Sequence, residues 1–574
     1  MPVHPPLRKF CLFAPRRRAC LLAGWVVFAC LGSWRAARAQ APPVVWARVG
    51  TGPELNFAQR VAADAAGDVY VAGEFLGAVT LDGVTLTSRG YVDVYLAKYD
   101  AAGRLLWLRQ AGGAGLDQVW GLAVDAAGNA CITGKFALGP SSSNSGPREM
   151  LLGAFRLASD SDEVFLAKYD PAGQVLWARQ TRRVPGPWPT GGGVGYDSYG
   201  SDLALDPAGN VYLTGGLDAP SAFDQVQVGT GGQFLAKYDA RGIIQWARTG
   251  LGYNGGIQQK VAVDAAGRVY LAGFYAAPLT LAGTTMTPLP TETGAYLAQF
   301  NDRGAVQWVH PFAGNYLGCA GLAVDPAGAV LVTNTFRGTV TDDGQPFASL
   351  GGTDVLTLKY DPQGRLLWGR QLGGRKDDWP VQSVVDGAGN VYVDVILRGL
   401  RTPTTPSGTD DLFNYLVSYA PNGNVRWDRS FPGPYATTLA TGQVDEVWVA
   451  GSFHFPTQFD NVFLTPGSPS ADNSFVARLG AARRPPEAVP FPDAPASMPN
   501  VITPNGDGRN DCWVVPGLPA GTRLQVFSRW GRPVFATEDY RQDWSAPGLA
   551  GGLYYYYLQS PDRPALRGWL EVIR

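Results

Sequence analysis

Seven tryptophans divide this chain at nearly even intervals. They stand at positions 46, 107, 177, 246, 308, 368 and 427, with spacings of 61, 70, 69, 62, 60 and 59 residues. Around them a phrase recurs, as in Leu203-Ala-Leu-Asp206-Pro-Ala-Gly209-Asn-Val-Tyr-Leu-Thr-Gly215 and then Phe234-Leu-Ala-Lys-Tyr-Asp239-Ala-Arg-Gly242-Ile-Ile-Gln-Trp246-Ala-Arg248. Self-similarity at a fixed period means one supersecondary unit copied along the chain. The copied residues have to be explained as scaffold before any of them is explained as chemistry.

Each copy carries two Asp-x-x-Gly turns. In Asp206-Pro207-Ala208-Gly209 the Asp bonds the local backbone, the Pro presets φ and the Gly takes the left-handed position. That is the chemistry of a type I turn closing a short hairpin. Asp170-Pro171-Ala172-Gly173 and Asp361-Pro362-Gln363-Gly364 repeat it. The flanks alternate with period two: Val211, Leu213 and Gly215 on one face, Tyr212 and Thr214 on the other. Each copy therefore predicts four antiparallel strands. Seven copies predict an all-β fold, a seven-bladed β-propeller over residues 44–480. The chain enters on Val44-Val-Trp46-Ala-Arg48, which matches a fourth strand, and leaves on Phe475-Val-Ala-Arg-Leu479, which matches a third. Pairing the two closes the ring with the N-terminal strand and removes an exposed edge.

The segments Val124-Asp-Ala-Ala-Gly-Asn129, Phe165-Leu-Ala-Lys-Tyr-Asp170 and Leu367-Trp-Gly-Arg-Gln-Leu-Gly-Gly374 resemble the bacterial seven-bladed propeller repeats of the SBBP type. The resemblance implies the fold and a secreted habit, not one activity. The seventh copy departs from it, with Thr441-Gly-Gln-Val-Asp445-Glu446 in place of the first turn.

Residues 1–39 have a different character. They hold seven Lys or Arg and no Asp or Glu, with Arg16-Arg17-Arg18 before a 16-residue apolar run, Ala19 to Trp34, and Ala37-Arg38-Ala39 behind it. This predicts a secretory signal peptide cut after Ala39. The run is short for a membrane span, and no stable span is expected once the leader is gone. Without the leader the chain has 40 Lys and Arg against 48 Asp and Glu, a net charge of −8. That balance disfavours nucleic acid as a partner. Cys131, Cys319 and Cys512 remain, an odd and scattered set that predicts free thiols rather than a disulfide framework.

Residues 481–498 form a Pro-rich linker. Residues 499–574 then alternate as short strands around Arg523 to Phe527, Pro533 to Ala536 and Leu553 to Leu558, predicting a small Ig-like β-sandwich. Thr503-Pro504-Asn505-Gly506-Asp507-Gly508-Arg-Asn510-Asp511, Arg529-Trp530-Gly531, Trp544 and the terminal Arg574 resemble the gliding-motility-associated C-terminal domain, the type B sorting domain of type IX secretion. Ile502, Ser528 and Ser545 depart from that family's usual residues. The resemblance implies the type IX secretion machinery as a partner, and a protein secreted or attached to the outer-membrane surface.

Catalytic chemistry is hard to find. Beyond the leader only His310 and His454 remain, neither beside a nucleophile motif, and no phosphate loop, Cys-x-x-Cys or His-Glu-x-x-His run occurs. No catalytic residue and no cofactor is assigned. The repeated Asp64, Asp125, Asp206, Asp264, Asp325 and Asp386 are explained by their turns, and the tryptophans as fillers between sheets. Because the Asp-x-x-Gly turns all fall on one face, the length variation and the expected binding face lie on the other. There the loops carry Asn56, Asp117, Tyr196, Asp197, Tyr253, Asn254, Asn315, Tyr316, Asp377 and Trp379, candidate contacts for an extracellular ligand, glycan or protein. Asn505, Asp507, Asn510 and Asp511 have the oxygen density of a calcium loop without its spacing, and turn formation accounts for the same residues. The leading functional expectation is an exported binding module, such as an adhesin or glycan-binding protein. A propeller lyase or glycoside hydrolase and a structural spacer are the alternatives.

Overall fold

The computed structural model describes residues 41–574 apart from 138–147, 160, 186–197, 230, 253–258, 289–293, 399–411, 433–434, 461, 468–470, 481–500, 507–509, 516–517, 529–532, 561–565 and 574. The expected leader and linker lie outside the described residues. The chain divides into two compact units, Met1–Ala481 and Ala482–Arg574.

In the first unit the described residues are all strand, turn and loop, with no helix. The first repeat shows the pattern: Asn56–Ala63, Val69–Leu81, Val84–Tyr99 and Leu105–Gly113 pair antiparallel in sequence order. The six later copies pair the same way. One strand, Val306–Val324, serves twice, as the fourth strand of the fourth repeat and the first of the fifth. In the seventh repeat the fourth place is filled by Val44–Thr51, where Ala47 faces Ala477 and Val49 faces Phe475. The first strands pack on one another in succession, and the seventh, Tyr435–Thr441, packs on Asn56–Ala63.

The tight hairpins form as their residues dictate. Gly67 has φ +83 and its N–H reaches the Asp64 carbonyl at 3.0 Å, while Asp64 N–H bonds the Asp68 carbonyl at 2.9 Å. A second hairpin type was not anticipated. Between second and third strands the chain turns at Asp82-Gly83 and Asp343-Gly344, both residues of each pair with positive φ. That is the two-residue turn which Asp-Gly favours.

Side chains between neighbouring repeats form the core. Buried tyrosines of the second strand meet the fourth-strand tryptophans, as in Tyr70 with Trp107 at 5.9 Å and Tyr392 with Trp427 at 5.8 Å between ring centroids.

In the C-terminal unit the described strands form one five-stranded mixed sheet, ordered Val501–Ile502, Leu566–Val572, Gly552–Gln559, Arg523–Ser528 and Pro533–Thr537. The expected second sheet is not among the described residues. Irregular chain carrying Trp513, Tyr540 and Trp544 joins Leu524, Val526, Tyr556 and Leu558 in the core instead. Large aromatic rings can cover a small sheet without a second set of strands.

Candidate functional site

The first-hairpin aspartates are turn residues first. Asp64 Oδ1 accepts the N–H groups of Ala66 and Asp68 at 3.0 and 2.9 Å, and Asp325 Oδ1 those of Ala327 and Ala329 at 2.9 and 2.8 Å. Oδ2 remains, and a lysine from the third strand approaches it. Lys168 meets Asp125 at 2.9 Å and Lys359 meets Asp325 at 2.7 Å, with both lysines and Asp325 buried and Asp125 9% exposed. Lys98 lies 3.4 Å from Asp64 and 3.0 Å from Asp68. Burial pushes the Asp125 carboxyl up, but its bonds from Asn129 and Lys168 outweigh that and hold it below the usual carboxylate range. In the seventh repeat Glu446 and Arg478 form the equivalent pair. The sequence signal was the Lys of each Leu-Ala-Lys-Tyr-Asp phrase, which only the fold brings to the turn.

The tryptophans do more than fill space. Trp107 Nε1 donates to the Pro171 carbonyl at 2.9 Å, Trp177 to Ala240 at 3.1 Å and Trp368 to Pro421 at 2.9 Å, each in the next repeat's second hairpin. The arginine two residues on donates to the same turns, Arg109 to Gly173 at 2.9 Å and Arg370 to Gly423 at 2.7 Å, with its guanidinium over the indole.

The fourth repeat breaks this scheme at three places. Gln299 stands where four other copies have Lys98, Lys168, Lys237 and Lys359. Arg268 stands where four others have Asp68, Asn129, Asn210 and Asn390, and His310 replaces the arginine after the tryptophan. The changes are coupled. Gln299 Nε2 bonds the Pro362 carbonyl at 3.3 Å, and Trp308 Nε1, which would reach it by the pattern, is buried without a partner. Asp264 receives its positive charge from Arg268 Nε at 2.5 Å. His310 pairs with the buried Asp342 at 2.6 Å, which also accepts the Tyr360 hydroxyl at 2.7 Å.

Beside Arg268 lies a depression of about 390 Å³ where the first hairpins of the fourth, fifth and sixth repeats come together. Its volume falls within the range of small-molecule sites, ~300–1,000 Å³. Asp264 to Ala266, Arg268, Asp325 to Gly328, Asp386 and Gly387 line it with Val263, Val324 and Val385. It sits among the tight turns, at the ends of the strands opposite to those expected to bind.

Six of the ten predicted ligand contacts can be placed. Asn56 is buried, and neither side-chain polar atom has a partner. Asp117 is buried and accepts the Gly113 N–H at 2.8 Å; burial and the nearby Asp93 charge push its carboxyl well above the ordinary range. Asn315 is half-buried, and Tyr316 is buried against Phe312 at 5.2 Å. Asp377 is exposed but holds Thr353 N–H at 2.9 Å. Trp379 is exposed, with the Arg398 guanidinium 4.6 Å over its ring. Burial removes Asn56, Asp117 and Tyr316 from any solvent-facing surface; the pattern "polar residue near a loop" cannot distinguish a strand-end anchor from a surface group. Tyr196, Asp197, Tyr253 and Asn254 lie outside the described residues.

In the C-terminal unit Asp511 Oδ1 accepts the N–H groups of Asn505 and Gly506 at 3.0 and 2.8 Å, and Asn510 has φ +54. Pro504 precedes this closed loop, and Trp544 is buried beside Phe535. Asp507, Gly508, Arg529, Trp530, Gly531 and Arg574 lie outside the described residues. Among the described residues no cluster of three metal-ligating groups occurs, and no helix is long and apolar enough to cross a membrane.

Residues 496–572 match the CHU_C type IX secretion signal domain. The match implies export by type IX secretion, to the medium or the cell surface. Over 521 residues the chain is 21% identical to an uncharacterized WD repeat-containing protein, L264, of Acanthamoeba polyphaga mimivirus, covering 73% of this chain and 37% of that one. The chain thus spans little more than a third of that relative's length. Among solved structures it is similar to a PL25 ulvan lyase, with 11% identity, coverage of 69% of this chain and 92% of the other, and a TM-score of 0.35. A puromycin hydrolase gives 13%, 75% and 58%, with a TM-score of 0.38.

Proposed function

We propose that the seven repeats close into a seven-bladed β-propeller of the SBBP type, and that the protein is an exported binding module. The C-terminal domain would carry it across the outer membrane, and the depression at the fourth to sixth repeats would hold a small polar ligand. The observation that carries the binding reading is the depression beside Arg268, at the place where the repeat departs from its own rule. Closure is supported by the cyclic packing of first strands and by Val44–Thr51 completing the seventh repeat. An exposed aromatic platform, Trp379 under Arg398, supports a second contact at the opposite strand ends. This is the chemistry by which aromatic faces take sugars or peptides.

A glycan array probed with the secreted full chain tests the reading. Selective signals that Gly387→Phe weakens are expected; Trp379→Ala weakening others would add the second contact. Uniform background on every glycan, unchanged by either variant, sinks it. Export is tested separately. Deleting residues from 482 onward should leave the protein inside the outer membrane, and appearance of the truncated chain at the surface would contradict that role.

A further inference from the structure

We propose that the depression binds an acidic sugar unit, a pyranose bearing one carboxylate or sulfate, with the anion on Arg268. The inference rests on the binding reading above and names its ligand.

In the first, second and fifth repeats the positive partner of the first-hairpin Asp is a buried third-strand lysine, out of reach of any ligand. In the fourth repeat that charge has moved onto the hairpin itself. Arg268 uses Nε for Asp264, and among the described residues its two terminal nitrogens make no hydrogen bond. Its side chain is 37% exposed, whereas Lys168 and Lys359 are 3% and 2% exposed. Nη2 lies over Gly328, 2.5 Å from where a Cβ would stand, so the guanidinium extends from the fourth repeat's hairpin to the fifth's. A guanidinium engaged only through Nε still presents a planar pair of donors, the geometry that matches a carboxylate or sulfate edge.

The remaining walls select what surrounds that anion. Ala265, Pro326 and Gly387 line the depression, and among the described residues no group donates to their carbonyls. They suit ligand hydroxyls, which donate. Val263, Val324 and Val385 offer an apolar surface for a ring's C–H face. Charge limits the anion to one. Lys359 already pairs with Asp325. Asp386, with Ser418 where others have lysine, is held by Asn390 at 2.9 Å and Tyr392 at 2.8 Å, and among the described residues no cation pairs with it directly. A phosphate dianion or polyphosphate would meet a single guanidinium already paired with Asp264, and the Asp386 carboxylate beside it.

The test is calorimetry on the secreted full chain with D-glucuronate, D-glucose 6-sulfate and D-glucose. Two variants separate the questions. Arg268→Asn with Gln299→Lys rebuilds the pair that the second repeat carries in Asn129 and Lys168, so the fold keeps its charge balance. Gly387→Phe fills the depression from a position where an added Cβ meets nothing within 4 Å. Glucuronate, glucose 6-sulfate or both should bind at least ~10-fold more tightly than glucose, as expected for a charge-assisted pair. Which of the two binds identifies carboxylate or sulfate as the anion. The double variant should lose that preference with an unchanged melting temperature, and Gly387→Phe should lose binding altogether. Equal binding of all three sugars, abolished by Gly387→Phe but untouched by the double variant, overturns the acidic ligand and leaves the binding site standing. No binding of any of the three overturns the ligand class; the binding reading then stands or falls on the glycan array.

Discussion

Trp46 donates its indole N–H to the carbonyl of Ala101 at 3.1 Å, the bond that Trp107 makes to Pro171 at 2.9 Å. Trp107 belongs to the first repeat and Pro171 to the second. Trp46 belongs to the strand that completes the seventh, and Ala101 to the first. The contact that joins consecutive repeats therefore also joins the last to the first, and Arg478 of the seventh repeat donates to the same Ala101 carbonyl at 3.0 Å from 377 residues away. Arg48 follows suit, donating to Gly103 at 2.6 Å as Arg109 does to Gly173 at 2.9 Å.

If the repeats close into the proposed ring and this contact holds it, Trp46→Ala should cost as much as Trp107→Ala. Trp46 is buried and loses both its packing and its bond, a change on the order of 3–5 kcal/mol. The loss should appear as a lower denaturation midpoint for the whole first unit, because an opened ring exposes two strand edges. A silent Trp46→Ala beside a damaging Trp107→Ala would mean that the N-terminal strand is decoration.

The buried Lys168–Asp125 pair makes a second prediction. Lys168→Met leaves Asp125 buried without its cation and should destabilise by roughly 3–5 kcal/mol, with Lys168→Met/Asp125→Asn recovering much of the loss. The pH dependence has a definite sign. Asp125 has a folded pKa below its unfolded value, so its contribution is present above the unfolded pKa, about 3.9, and is lost as pH falls through the folded value. Thermal melts from pH 6 down to pH 2 should therefore show a steeper acid loss in the parent than in the double variant.

The scaffold was legible in the sequence because it is written seven times. Asp64 and Gly67, Asp325 and Gly328 state a turn, and alternation around Val211 and Leu213 states a strand. What was not legible is the partnership between copies. The third-strand lysines and the fourth-strand tryptophans lie far in sequence from the turns they serve, so no local pattern names their partners. The surroundings of the candidate contacts were not legible for a related reason. Regular turns looked inert, and the loops opposite looked informative, yet Asn56, Asp117 and Tyr316 are buried anchors. Arg268 was visible only by comparing copies at one position, where Asn129, Asn210 and Asn390 set the expectation it breaks.

Glu74 gives the last prediction, with the opposite sign to Asp125. It lies on the second strand of the first repeat, 4% exposed, and accepts the Val119 N–H at 3.0 Å and the Gln118 amide at 3.4 Å. Burial pushes its carboxyl up to about 7, although those bonds, Arg60 and Lys135 pull the other way. The folded chain thus holds a proton that the unfolded chain releases near pH 4.5. Between those values stability falls as pH rises, and above about 7 it levels off, with a total loss of roughly 3 kcal/mol at 1.36 kcal/mol per pKa unit. Glu74→Gln keeps an acceptor for Val119 and removes the proton. It should flatten the denaturation midpoint between pH 4.5 and 7 and raise stability at pH 8 relative to the parent. A parent profile already flat over that interval, or a Gln variant less stable at pH 8, would show that Arg60 and Lys135 keep Glu74 ionised throughout. The first two repeats would then be joined there by an ion pair instead of a neutral hydrogen bond.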